Sequence, residues 1–316
     1  MALQKNKALL LKGCLLMSLI LSGCGGQALS EREIVRGVLF TKQEGEYSAC
    51  LVLADQNADS ASPEKNKISA ARGATPAQAL ERAEQALYGD VYYGLLDLAA
   101  LPADIDLDTA REIGELLYDN AQPAPELSVF VLDTKPVQSW AEEATGLYRD
   151  MKDLETTYEV HCGLQQLFAQ QDSCAIPGYR AGGGYDVVLL AEEGTTVRCS
   201  GMTGAQLAAV LSGQTHQFRG SYAGGQAFFA GRAQVTGEGN TLQLHLRQTE
   251  FSALTGDEAK EDLQAVLEQE LKTSFQNLQG QMQQTGADPF HLKFWQACLY
   301  GPEQQVGMSE LQVLFE

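Results

Sequence analysis

The plainest chemistry in the chain belongs to Cys24. It follows Leu21-Ser22-Gly23, an arrangement of small residues before a cysteine that matches a bacterial lipobox, in which the thiol accepts a diacylglyceryl group. Upstream, residues 1–23 hold Lys5, Lys7 and Lys12, no carboxylate, and an apolar run from Cys14 to Leu21. That is a secretory signal, too short to span a bilayer. Cleavage before Cys24 is expected to leave a lipid-anchored chain on the extracytoplasmic face of the cell membrane, each buried acyl methylene contributing about 0.8 kcal/mol. After Cys24 no stretch reaches about 18 uninterrupted apolar residues, so one lipid anchor and a folded body are expected.

Other reactive residue types occur without the spacing that chemistry needs. Asp104, Asp106 and Asp108, with Glu115, echo a calcium loop, but Thr109 replaces the turn glycine and Ile105 and Leu107 are apolar. Asp108 or Thr109 capping a helix fits that segment better. His161, His216, His245 and His291 lie far apart, and the neighbours His161 and Cys162 point apart on either a helix or a strand. Gly182-Gly183-Gly184 precedes a strand instead of leading from a strand into a helix, so it is no phosphate cradle. Glu142-Glu143 and Glu192-Glu193 read as surface carboxylates. Cys50, Cys162, Cys174, Cys199 and Cys298 are odd in number, widely spaced and free of any Cys-x-x-Cys, which disfavours a zinc site; most are expected to be buried small hydrophobes. One pair is open to oxidation in an extracytoplasmic compartment, and the sequence does not choose it. These residues imply no catalytic centre, no cofactor and no metal.

Composition narrows the classes further. The 316 residues are 44% hydrophobic and 20% charged, as in a globular protein with a real core. The 22 basic residues face 41 acidic ones, a charge of -19; loss of three lysines with the signal makes the mature chain -22. Such a surface repels phosphate backbones, and nucleic acid is not an expected partner.

The elements that must position these residues are mixed. Residues 35–40 and 47–53 read as a hairpin across Gln43-Glu44-Gly45-Glu46. Residues 54–74 are polar and read as a loop. Thr75-Pro76-Ala77-Gln78 opens a helix over 76–88, and a second starts at Asp108-Thr109 and includes Ile113, Leu116 and Leu117. Ser128–Leu132 reads as a buried strand, Trp140–Met151 as a helix, and His161–Gln170 as a short helix with Leu164, Leu167 and Phe168 inward. Tyr185–Leu190 and Thr196–Cys199 are strands; Met202–Leu211 is a helix opened by a Thr203–Gln206 box and stopped at Gly213. Residues 220–226 read as a connector. Phe228–Val235 and Thr241–Arg247 form a hairpin with Leu242, Leu244 and Leu246 on one face. Residues 257–284 form a long amphipathic helix, and 311–315 a closing strand.

With these elements placed, the chain resembles the Ger(x)C family, the lipoprotein C subunit of bacterial spore germinant receptors. The resemblance is carried by the lipobox followed by Glu31-Arg32-Glu33-Ile34, by Tyr92-Tyr93-Gly94, and by Thr109-Ala110-Arg111-Glu112-Ile113-Gly114. It continues through Leu164–Phe168, Ile176-Pro177, Tyr185–Leu190 and Leu207–Gly213, and closes with the long helix, Gly286-Ala287-Asp288-Pro289-Phe290 and Trp295. Departures are Gly25-Gly26 in place of the family's Trp-Asp, and Leu95 where a histidine often follows the aromatic-Gly pair. The resemblance implies a non-enzymatic, lipid-anchored subunit working with two membrane-embedded partners, the A- and B-type receptor subunits, in nutrient-triggered germination. It places the chain on the spore inner membrane where the host sporulates. Phe294 and Trp295 are candidate interface anchors.

The fold expected is α+β: three small mixed α/β domains, each a sheet packed with helices. A signal peptide covers 1–23, an N-terminal domain 24–150, a small middle domain 151–224, and a C-terminal domain with the long helix 225–316. The competing function is a lipid-anchored extracytoplasmic solute-binding protein, which needs two lobes about a cleft.

Overall fold

Runs of β-branched and aromatic residues broken by tight turns dictate the first elements. In the computed structural model, residues 32–54, 67–121, 127–133, 140–169, 172–180, 184–191, 196–254, 256, 259–285, 288–292, 297–298, 300–301 and 309–316 are described. Strand β1 (Arg32–Gln43) pairs antiparallel with β2 (Glu46–Leu53) through the expected turn. Glu44 and Gly45 both take positive φ there, 52° and 84°, the two-residue geometry that matches strand twist. Part of the expected loop forms β3 (Lys67–Gly73), antiparallel to β2. Its Ser, Ala, Arg and Gly residues have weak strand propensity, and packing decides instead: Ser69 Oγ donates to the carbonyl of Ala83 at 2.7 Å, and α1 (Pro76–Gln85) lies against the strand. Thr75 caps α1, its Oγ1 accepting from the Gln78 N–H at 3.2 Å, while Gln78 Oε1 accepts from the Ala74 N–H at 2.9 Å.

The chain then alternates: β4 (Asp90–Tyr92), β5 (Leu98–Pro102), α2 (Leu107–Ala121), β6 (Ser128–Asp133), α3 (Trp140–Tyr158), α4 (Leu164–Ala169), β7 (Ser173–Arg180), β8 (Gly184–Ala191) and β9 (Thr196–Cys199). One sheet collects these strands in the order β3-β2-β1-β5-β6-β7-β8-β9, with β4 beside the first three residues of β1. The β1-β5-β6-β7 centre is parallel, and antiparallel hairpins extend both edges. The central strands are apolar on both faces, as parallel strands covered by helices must be. Leu80 and Ala83 of α1, Ile113 and Leu117 of α2, and Leu164 and Leu167 of α4 bury one face. Ala144, Leu147, Met151 and Leu154 of α3 bury the other.

After β9 come α5 (Met202–Leu211), β10 (Gln217–Tyr222), β11 (Ala227–Glu238), β12 (Thr241–Ala253), the 26-residue α6 (Lys260–Thr285) and β13 (Glu310–Phe315). They build a second sheet, β10-β11-β12-β13, in which β13 runs parallel to β12. Leu242, Leu244 and Leu246 meet Leu263, Leu267, Leu271, Phe275 and Leu278 of α6, a helix of about 39 Å. Val266 lies on its exposed side.

The α+β class holds, and the strands gather into two sheets. The break expected near 150 falls inside α3, and parallel pairing of β6 with β7 joins strands expected of separate N-terminal and middle units. The break expected near 224 falls in the short turn between β10 and β11, which pair with each other. Part of the expected 220–226 connector is therefore strand. Two local readings also change. Gly201, not a Thr203 box, opens α5 without a side-chain cap, because Gln206 is buried and its Oε1 accepts from the Arg219 N–H at 3.2 Å. Phe168, expected inward, is partly exposed because α4 meets α2 at Gly114, where a Cβ would come within about 3.1 Å of Leu167 and Phe168.

Candidate functional site

Parallel strands bring the N-terminal ends of β1, β5 and β6 to one pole, and there the backbone is laced together. Asp97 N–H donates to the Arg36 carbonyl at 3.0 Å, Ser128 N–H to the Asp97 carbonyl at 3.1 Å, and Val129 N–H to the Cys162 carbonyl at 2.7 Å. Helix α3 crosses this pole and presents Tyr148, Lys152 and Glu155 at intervals of four and three residues, which share a helix face.

Two polar clusters result. In the first, the Arg36 guanidinium pairs with Asp97, and Tyr148 Oη donates to the same carboxylate at 2.9 Å. The Asp97 bond holds the Arg36 guanidinium above its ordinary range, and burial pushes the Tyr148 hydroxyl up. In the second, Glu155 accepts from Ser128 Oγ and from Lys152, and His161 Nδ1 lies 2.8 Å from Ser128 Oγ and 3.2 Å from Glu155 Oε1. Burial alone would raise the Glu155 carboxyl, but hydrogen bonds from His161, Lys152 and Ser128 outweigh it and pull the group down to about 2.

Serine, histidine and glutamate in contact invite comparison with a nucleophilic triad, and the geometry gives a different answer. A relay needs the hydroxyl on one ring nitrogen and the acid on the other. Here both oxygens meet Nδ1. Ser128 is fully buried, so its Oγ meets no solvent and has no path to a substrate carbonyl. The cluster ties the start of β6 to α3 and to the segment before α4, which is a positioning role.

The remaining candidates separate in space. Asp106, not Asp108 or Thr109, caps α2: its Oδ1 accepts from the Thr109 N–H at 2.7 Å, which lowers its carboxyl. Asp108 is exposed and faces Arg111 at 3.8 Å. Among the described residues no group of three or more His, Cys, Asp and Glu gathers as a metal site. His245 bridges Thr236 at 2.9 Å and Glu316 at 2.7 Å on the outer face of the small sheet, while His216 borders an apolar cavity of about 200 Å³ with Val235 and Phe290. Cys50, Cys162, Cys174 and Cys199 are buried; burial pushes the Cys50 and Cys199 thiols up to about 12. Cys162 and Cys174 share the Ala175 carbonyl at 3.8 and 3.6 Å, while Cys298 is exposed. Cys24, Gly182-Gly183, Glu192-Glu193, Phe294 and Trp295 lie outside the described residues.

Sequence reasoning missed the Ser128–Glu155–His161 cluster, which joins residues 27 and 6 positions apart; the only signal was the polar stripe of α3. It also missed Asp186, a buried carboxylate on β8 with Arg180 at 3.8 Å and Arg198 at 3.9 Å. On the α2–α4 side, Arg111, Glu115, Tyr118, Asp119, Phe168 and Asp172 line an open groove of about 940 Å³. No family model, no curated protein and no solved structure matches this chain.

Proposed function

We propose that the chain is a lipid-anchored, non-enzymatic subunit of a spore germinant receptor, held on the extracytoplasmic face of the membrane through Cys24 and working beside A- and B-type membrane-embedded subunits. The observation that carries the reading is the lipobox ending at Cys24, eight residues before β1 begins at Arg32, followed by the ordered motifs of the Ger(x)C resemblance. The mixed α/β body and the positioning role of the Ser128 cluster are in keeping with it. Among the described residues no helix is long and apolar enough to cross a membrane, and the attachment proposed is the Cys24 diacylglyceryl group.

Crosslinking capture of the tagged protein from native membranes, beside a Cys24→Ala control, tests this. Two membrane-embedded receptor subunits should be recovered, and their yield should drop in the control. Recovery of a permease with its ATPase would replace this reading with solute capture.

A further inference from the structure

The parallel strands β1, β4, β5, β6 and β7 put five strand starts at one pole. Among the described residues, the exposed large apolar side chains of the first sheet's helices and loops lie in the segments that lead into those starts. Tyr88, fully exposed, precedes β4 by two residues, and Leu95, 46% exposed, precedes β5 by three. Tyr118, 61% exposed, lies in the last turn of α2, which leads into β6, and Phe168, 38% exposed, lies in α4, which leads into β7. Among the described residues the opposite pole is polar where the β1–β2 turn exposes Lys42, Gln43, Glu44 and Glu46 and the segment after β5 exposes Asp104. Exposed apolar side chains that share one end of a fold mark a candidate contact surface.

The chain itself indicates the partner. Arg32 begins β1 at the aromatic pole, its guanidinium 5.5 Å over the Tyr92 ring. It lies eight positions after Cys24, a reach of at most about 28 Å. A folded body of this length is roughly 50 Å across, so a lipid at Cys24 lets the aromatic pole rest on the bilayer and leaves the opposite pole out of reach. Resting on the proposed Cys24 anchor, we infer that this pole is a membrane-apposed surface, with Tyr88, Leu95, Tyr118 and Phe168 seated at headgroup level. Tyrosine suits that depth, ring against acyl chain and hydroxyl in water. Glu115, Asp119 and Asp172 outweigh Arg111 in the groove and the chain as a whole is negative, so this is an apolar contact and not an attraction to anionic lipid.

Hydrogen exchange on the full lipidated protein in vesicles of phosphatidylethanolamine and phosphatidylglycerol tests it. Amides of 86–96, 115–121 and 164–169 should exchange about tenfold more slowly than in detergent-free Cys24→Ala protein, whereas the 43–46 turn should not change. The slowing should persist at high salt. Replacing both Tyr88 and Tyr118, exposed sites, by Ser should abolish most of it while the circular dichroism spectrum stays that of the parent. Vesicle-bound protein carrying the Cys24 lipid, with no slowing at this pole, overturns the inference and leaves the anchor standing. An N-terminal peptide whose mass lacks the diacylglyceryl group overturns both.

Discussion

Glu155 shows how one carboxylate can hold three elements. Its folded-state carboxyl sits at about 2 against an ordinary 4.5, so its contribution is fully present above 4.5 and is lost as pH falls toward 2. The displacement corresponds to ~3 kcal/mol, which partial solvent screening reduces to roughly 2 kcal/mol. Glu155→Gln should therefore lower the urea midpoint at neutral pH and flatten the acid limb between 4.5 and about 2; an unchanged acid limb would assign that dependence to other groups. The cysteines give a second test at this scale. Buried thiols pushed up to about 12 at Cys50 and Cys199 carry almost no thiolate at pH 8. Maleimide should label Cys298 in the native protein and reach Cys50, Cys162, Cys174 and Cys199 only on unfolding, as peptide mass mapping would read.

At the scale of elements, close approach fixes α1 and apolar burial fixes α6. A Cβ on Gly73 would lie 2.5 Å from the Ala79 nitrogen, a backbone atom that cannot step aside. Gly73→Ala should cost about 2–3 kcal/mol by forcing α1 off β3, measured as a shift in the denaturant midpoint. Along α6, Leu271 is fully buried, and Leu271→Ala should cost about 3 kcal/mol. Val266→Ala on the exposed side should change stability by less than about 0.5 kcal/mol. These contrasts also mark what was legible beforehand. Helix α1 declared itself through its cap and α6 through three-to-four-residue apolar spacing, which are local signals. Strand β3 did not, because Ser69 and Gly73 become strand residues through pairing with β2 and contact with α1, neither of which is a local signal. The Ser128–Glu155–His161 cluster was hidden for the same reason: its members meet only after β6, α3 and the segment before α4 have docked. The cap of α2, expected at Asp108 or Thr109, lies two or three residues earlier because three aspartates alternate there and only geometry selects Asp106.

At the scale of the whole molecule, one apolar cluster crosses from the large sheet to the small one. It includes Leu39, Phe130 and Leu132 of the central strands, Met151 of α3, Leu207 of α5, Phe218 and Phe229 of β10 and β11, and Leu271 of α6. Helix α5 is the bridge, packing on β8 of the first sheet and on β10 and α6 of the second. Domains joined by a small polar interface unfold separately, but a continuous apolar core couples its halves. Calorimetry of the mature protein should show one transition. Leu207→Ala, at a fully buried position, should lower it by several degrees without splitting it. Hydrogen exchange of the slowest β2 and β12 amides should converge on a common opening free energy and fall together in the variant. Two separated transitions, with only one moved by Leu207→Ala, would mean that the two sheets are independent units and that α5 belongs to one of them.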